Sequence, residues 1–137
     1  MGRILSIDYG MKRIGLALSD PMKIIASPLK TLQAGKNAQE TLDLLLKEIA
    51  SHDIETIVIG LPLHLSNEES EISLLVRKLK EDLETKISTP IILWDERLTS
   101  KQVERLMIEG DVKRKKRSQH VDTLSATLIL QSYMDSL

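Results

Sequence analysis

The chain of 137 residues has no cysteine and no phenylalanine, and holds one tryptophan and two tyrosines. Without thiols there is no disulfide framework and no thiolate metal site. Tyr9, Trp94 and Tyr133 are too few to build the aromatic platforms on which single-strand-binding proteins stack bases. No window has the apolar length of a membrane span. The opening run Arg3-Ile4-Leu5-Ser6-Ile7 lacks the long apolar core and small-residue cleavage site of a signal peptide. These absences lead to the expectation of a soluble, cytoplasmic protein.

Apolar residues make up 42% and charged residues 28%, a globular composition. The length predicts a single domain over residues 1–137, large enough to bury a core without staples. A formal charge of -1 conceals an asymmetry. Lys113-Arg114-Lys115-Lys116-Arg117 is an uninterrupted basic run. Setting those five aside leaves 14 basic residues against 20 acidic, or -6. A cationic edge on an acidic body suits a protein that meets a polyanion at one place and cations at another.

The first third reads as strands: Arg3 to Tyr9, then Ile14 to Ser19 stopped by Asp20-Pro21, then Ile24 to Leu32 interrupted by Pro28. The period then changes. Asn37 with Glu40 forms a capping box ahead of Leu42, Leu45, Leu46 and Ile49 at helical spacing. A strand over 55–60 ends at Gly60-Leu61-Pro62. Ser66 with Glu69 caps a helix striped by Ile72, Leu75, Val76, Leu79 and Leu83. The unalternating run Ile91-Ile92-Leu93-Trp94 predicts a strand buried on both faces. Thr99 with Gln102 opens another helix, stapled by Leu98 and Val103 and ending near Gly110. Ser118 is placed to cap a last helix beyond the basic run, which then becomes a loop. The order β-β-β-α-β-α-β-α with a terminal helix predicts an α/β fold with a mixed sheet: an antiparallel meander, then parallel pairing.

Carboxylates stand where ligands bind in such sheets, at the carboxyl ends of strands. Asp8 ends the first apolar strand, and Asp95-Glu96 directly follow the last. Asp122 falls in the first turn of the predicted terminal helix, with Ser125 and Ala126 one turn on leaving room beside it. A turn residue, a surface ion pair with Arg97 and a helix-dipole partner explain each of these singly, but not their shared placement. Carboxylates on three elements, without cysteine, select a hard cation such as Mg²⁺ or Mn²⁺. His52, His64 and His120 have no metal-ligand spacing. A Walker loop, a Gly-x-Ser-x-Gly elbow and a Gly-x-Gly-x-x-Gly turn are all missing. Spacing leaves open which of Asp95 and Glu96 would be the ligand.

Several stretches then fall into one pattern. They are Ile7-Asp8-Tyr9-Gly10 with Lys12-Arg13-Ile14-Gly15 and Ser19-Asp20, then Gly60-Leu61-Pro62, then Asp95-Glu96-Arg97-Leu98-Thr99-Ser100, then Val121-Asp122. Over essentially its whole length the chain resembles the YqgF/RuvX family, described as Holliday-junction resolvases or pre-16S rRNA nucleases. It departs from the family pattern in having no glycine over 63–69 and in carrying Ser125 where alanine is common. The resemblance implies an RNase H-like fold with a five-stranded mixed sheet in the order 3-2-1-4-5, flanked by helices. It implies Asp8, Glu96 and Asp122 as the catalytic and metal-binding set for two-metal phosphodiester hydrolysis, with Asp8 bridging the ions. The resemblance further implies the 5′ end of pre-16S rRNA or branched DNA as the substrate. Lys12, Arg13, Arg97 and the run Lys113, Arg114, Lys115, Lys116, Arg117 become candidates for phosphate contacts. Nucleic acid is the expected partner, and the protein a monomer or, for symmetric junction cutting, a homodimer.

Two other readings compete. An actin-like or sugar-kinase ATPase also opens with Asp-x-Gly after a strand but needs two such domains around its nucleotide. A non-catalytic RNase H-like module would bind nucleic acid without metal.

Overall fold

The computed structural model describes residues 2–62, 71–95 and 114–137, with 114–122 as helical backbone. Five strands form one sheet: β1 (Arg3–Tyr9), β2 (Arg13–Ser19), β3 (Ala26–Gln33), β4 (Ile54–Leu61) and β5 (Ile91–Asp95). The helices described are α1 (Ala38–Ala50), α2 (Glu71–Glu84) and α3 (Arg114–Asp135). The strand order is β3-β2-β1-β4-β5, antiparallel across β1–β2 and β2–β3, parallel across β1–β4 and β4–β5. This is the expected RNase H-like arrangement, and it puts β1 at the centre.

Alternation along the strands supplies both cores. Leu5, Ile7, Ile14, Leu16, Ile57 and Ile59 pack with Leu42, Leu45 and Ile49 of α1 and with Val76, Leu79 and Leu83 of α2. Ile4, Ala17 and Val58 face the other way, onto Ala126, Ile129, Leu130 and Met134 of α3. The predicted cap of α1 is present: Glu40 N–H donates to Asn37 Oδ1 at 2.9 Å.

Several local expectations shift. β3 begins at Ala26 instead of Ile24, because the Asp20 carboxylate takes the N–H groups of Ile24 and Ile25 at 2.7 and 2.8 Å and winds them into the turn. Pro28 does not break β3. The pairing slips by one residue there, and β3 is an edge strand, where a missing N–H removes no ladder bond. β5 is only half-buried beyond Ile91, as suits its place at the edge of the described sheet. On α2 the buried stripe includes Ser73, whereas Leu75 is exposed.

α3 also starts earlier than the sequence suggests. Arg114 to Arg117 are helical, so Ser118 does not cap the helix and Asp122 lies in its third turn. Lysine and arginine are good helix formers, and nothing from 114 to 135 breaks the helix. The caps predicted at Ser66 and Thr99 lie outside the described residues.

Candidate functional site

Asp8 is half-buried at the carboxyl end of the central strand. Its β2 partner is Gly15. Residues directly paired across antiparallel strands carry their side chains on the same face, so the position beside the carboxylate on β2 carries no side chain of its own. The turn after Asp8 is tight: a Cβ on Gly10 would lie 2.5 Å from the Arg13 carbonyl oxygen. Strand alternation turns Ile7 onto the face of α1 and α2, and Asp8 onto the face of α3.

Hydrogen bonds from β3 and β1 fix α3 on that face. Gln131 Oε1 accepts from Ala26 N–H at 3.2 Å. Ile4 N–H donates to Ser19 Oγ at 2.8 Å, which ties this end of β2 to the start of β1. The Ser6 hydroxyl donates to the Ala126 carbonyl at 2.6 Å. From residue 131 to 126, α3 therefore advances toward the carboxyl end of β1. One further turn, about 6 Å, reaches position 122. Asp8 lies two residues beyond Ser6, roughly 6.6 Å along the strand. The helix backbone at 122 thus stands at the level of Asp8, on the same helical face as Ala126.

β5 ends on the same edge, with Asp95 level with Leu61 of β4. Trp94 packs edge-on to Tyr133, with ring centroids 5.6 Å apart, and its indole N–H donates to Ser132 Oγ at 3.2 Å. Because Trp94 faces α3, alternation turns Asp95 to the opposite face, away from Asp8. Tyr9 packs against the other core, so all three aromatic side chains are engaged in packing and none forms a stacking platform.

Of the predicted site residues, Lys12 lies in the β1–β2 turn and Arg13 opens β2, both at the Asp8 end of the sheet, Lys12 exposed and Arg13 half-buried. Arg114, Lys115, Lys116 and Arg117 belong to the first turns of α3, where the helix runs past the sheet edge. Glu96, Arg97 and Lys113 lie outside the described residues. Among the described residues no group of three His, Cys, Asp or Glu could hold a metal ion. The donors at this edge are carboxylate oxygens, which fit Mg²⁺ or Mn²⁺ rather than a soft ion. Ser6 carries no motif signal, and its part in setting α3 emerges only from the packing.

The family model described as "RuvX: Holliday junction resolvase" matches residues 2–136. The chain belongs to this family. It is 48% identical over 140 residues to a protein of Protochlamydia amoebophila described as "Putative pre-16S rRNA nuclease", covering 98% of this chain and 93% of the relative. A protein of Listeria monocytogenes with the same description is 38% identical over 135 residues, covering 98% of each chain. Two solved structures share the fold. The RuvC of T. thermophilus, in complex with a Holliday junction substrate, superposes with a TM-score of 0.61 at 15% identity, over 99% of this chain and 98% of the other. The fowlpox virus Holliday junction resolvase gives 0.60 at 16% identity, over 98% and 99%. Among the described residues no helix is long and apolar enough to cross a membrane.

Proposed function

We propose that this protein is a divalent-metal-dependent nuclease that hydrolyses phosphodiester bonds. We read residues 1–137 as one RNase H-like domain that processes the 5′ end of pre-16S rRNA in the cytoplasm. The observation that carries the proposal is the placement of Asp8. It ends the central strand opposite a glycine, with α3 docked so that position 122 stands level with it. The description shared by the relatives supports the RNA substrate. The family's description as a Holliday junction resolvase supports a second substrate, branched DNA.

Asp8, Glu96 and Asp122 are the residues assigned to hold Mg²⁺ or Mn²⁺. Asp95 is not among them, since its strand turns it away from Asp8. Bound there, the ions would supply an activated water and neutralise charge developing on the phosphate. Asp8 contributes a carboxylate already half removed from water, where its attraction for a cation is stronger than at an exposed position. Lys12, Arg13, Arg97 and residues 113–117 hold backbone phosphates on either side, fixing the bond to be cut against the carboxylates. A metal-dependent cleavage assay on a pre-16S rRNA 5′ fragment and on a four-way DNA junction tests the proposal. Cleavage of either that stops with EDTA is expected. Binding without cleavage at any metal concentration would instead leave a nucleic-acid-binding module.

A further inference from the structure

Lys36 carries no motif, yet the fold brings it to the same edge as Asp8. The Ala34 N–H donates to the Lys12 carbonyl at 2.9 Å, joining the loop after β3 to the β1–β2 turn. Lys36 follows Ala34 by two residues, a reach of at most about 7 Å. The loop is held in place. Gly35 N–H donates to Thr41 Oγ1 at 2.8 Å, and a Cβ on Gly35 would lie 2.7 Å from that of Glu40. Its neighbour, the β1–β2 turn, is closed just as tightly at Gly10. Lys12 and Lys36 are both exposed, and neither has an anionic partner among the described residues. Beside Lys12, Met11 is 63% exposed on this rigid turn.

Two exposed ammonium groups on adjoining loops, with an exposed apolar, polarisable side chain next to one of them, match the alternation of a nucleic-acid strand. Phosphates suit the cations, and a base freed from its pair suits the methionine. We propose that the β1–β2 turn and the loop into α1 form a ledge that seats one nucleic-acid strand, with Lys12 and Lys36 on two phosphates and Met11 against an unpaired base. The inference rests on the nuclease reading and extends it. It makes the preferred substrate a duplex with unpaired nucleotides beside the bond to be cut. A flexible thioether there supplies the base contact that the packed aromatic residues do not.

The test uses the full chain in EDTA, so that the substrate stays intact. The probe is a DNA duplex with a 5′ single-stranded extension, carrying 2-aminopurine at the first unpaired position. Binding of the wild-type protein is expected to change the 2-aminopurine emission. Met11→Ala should abolish that change with the salt dependence of binding unaltered, while Met11→Leu keeps it. Lys36→Gln should make the slope of log affinity against log salt shallower by about 0.7–0.9, the release from one phosphate, and Lys36→Arg should restore it. An unaltered slope in Lys36→Gln, or an unaltered emission change in Met11→Ala, overturns the ledge. Failure of the nuclease reading shows separately, as a wild-type protein that never cuts when Mg²⁺ or Mn²⁺ is added.

Discussion

The Ser6 hydroxyl donates to the Ala126 carbonyl at 2.6 Å, a buried bond between residues 120 apart in sequence. It links the central strand to the helix that covers it and sets how far α3 slides along β1. The alignment of position 122 with Asp8 depends on that register. Ser6→Ala should therefore lower stability by about 1 kcal/mol, the typical net worth of one such bond. Urea denaturation measures the loss, and metal-dependent cleavage should fall with it. Full activity in this variant would show that the α3 register does not depend on Ser6.

Asp8→Asn should abolish metal-dependent cleavage with the fold intact. The substitution removes one charge from the proposed metal site and keeps the side chain's shape. In the wild type, a metal that binds only the folded state raises Tm by mass action. That rise should vanish in the variant, while Tm in EDTA holds or increases. Thermal melts with and without Mg²⁺ or Mn²⁺, beside a cleavage assay, separate the two effects. Wild-type cleavage rates would remove Asp8 from the mechanism.

Gly15→Val places a branched side chain directly across from Asp8, where the glycine has none. Gly15 is buried, so crowding should cost about 1–3 kcal/mol of stability. More tellingly, the metal-induced rise in Tm should disappear and cleavage should fall by about tenfold or more, equivalent to at least ~1.4 kcal/mol of barrier. Retention of both would place the metal elsewhere.

Replacing Lys113, Arg114, Lys115, Lys116 and Arg117 together by glutamine should weaken binding far more than chemistry. Arg114 to Arg117 occupy the first turns of α3, at the end of the helix that points past the Asp8 edge. If about three of the five contact phosphates, the salt slope on duplex DNA becomes shallower by roughly 2.7. Turnover at saturating substrate should change little. An unchanged slope would remove this segment from the nucleic-acid surface.

At Asp20 the backbone N–H of Ile25, then that of Ile24, lower the carboxyl pKa below its ordinary value of 3.8. In the acid range between the two values, the unfolded state binds more protons, so stability rises with pH there. The contribution is present in full above the ordinary value and is lost as pH falls through the folded one. Melts of wild type and Asp20→Ala from pH 2 to 6 should thus differ most at the neutral end and converge in acid. A constant difference across that range would show that the ionised carboxylate does not hold the β2–β3 turn.

What the sequence determined by itself is the order and type of the elements. The apolar runs Arg3 to Tyr9 and Ile14 to Ser19, the Asn37 cap and the stripe Leu42-Leu45-Ile49 are local signals, written within a few residues of where they act. The carboxylate at the end of the first strand was legible for the same reason. Helix ends were less so: α3 begins at Arg114 and not after Ser118, because a run of good helix formers carries no stop signal of its own. The burial of β5 was also misjudged, since an apolar run does not reveal whether its strand lies at the centre or the edge of a sheet. Only the tertiary structure decided that Gly15 faces Asp8, that Trp94 locks onto Tyr133 and turns Asp95 away, and that the loop carrying Lys36 is tied to the turn carrying Lys12. Each depends on pairing register or on hydrogen bonds between distant residues, which arise when whole elements pack and leave no periodicity in the chain.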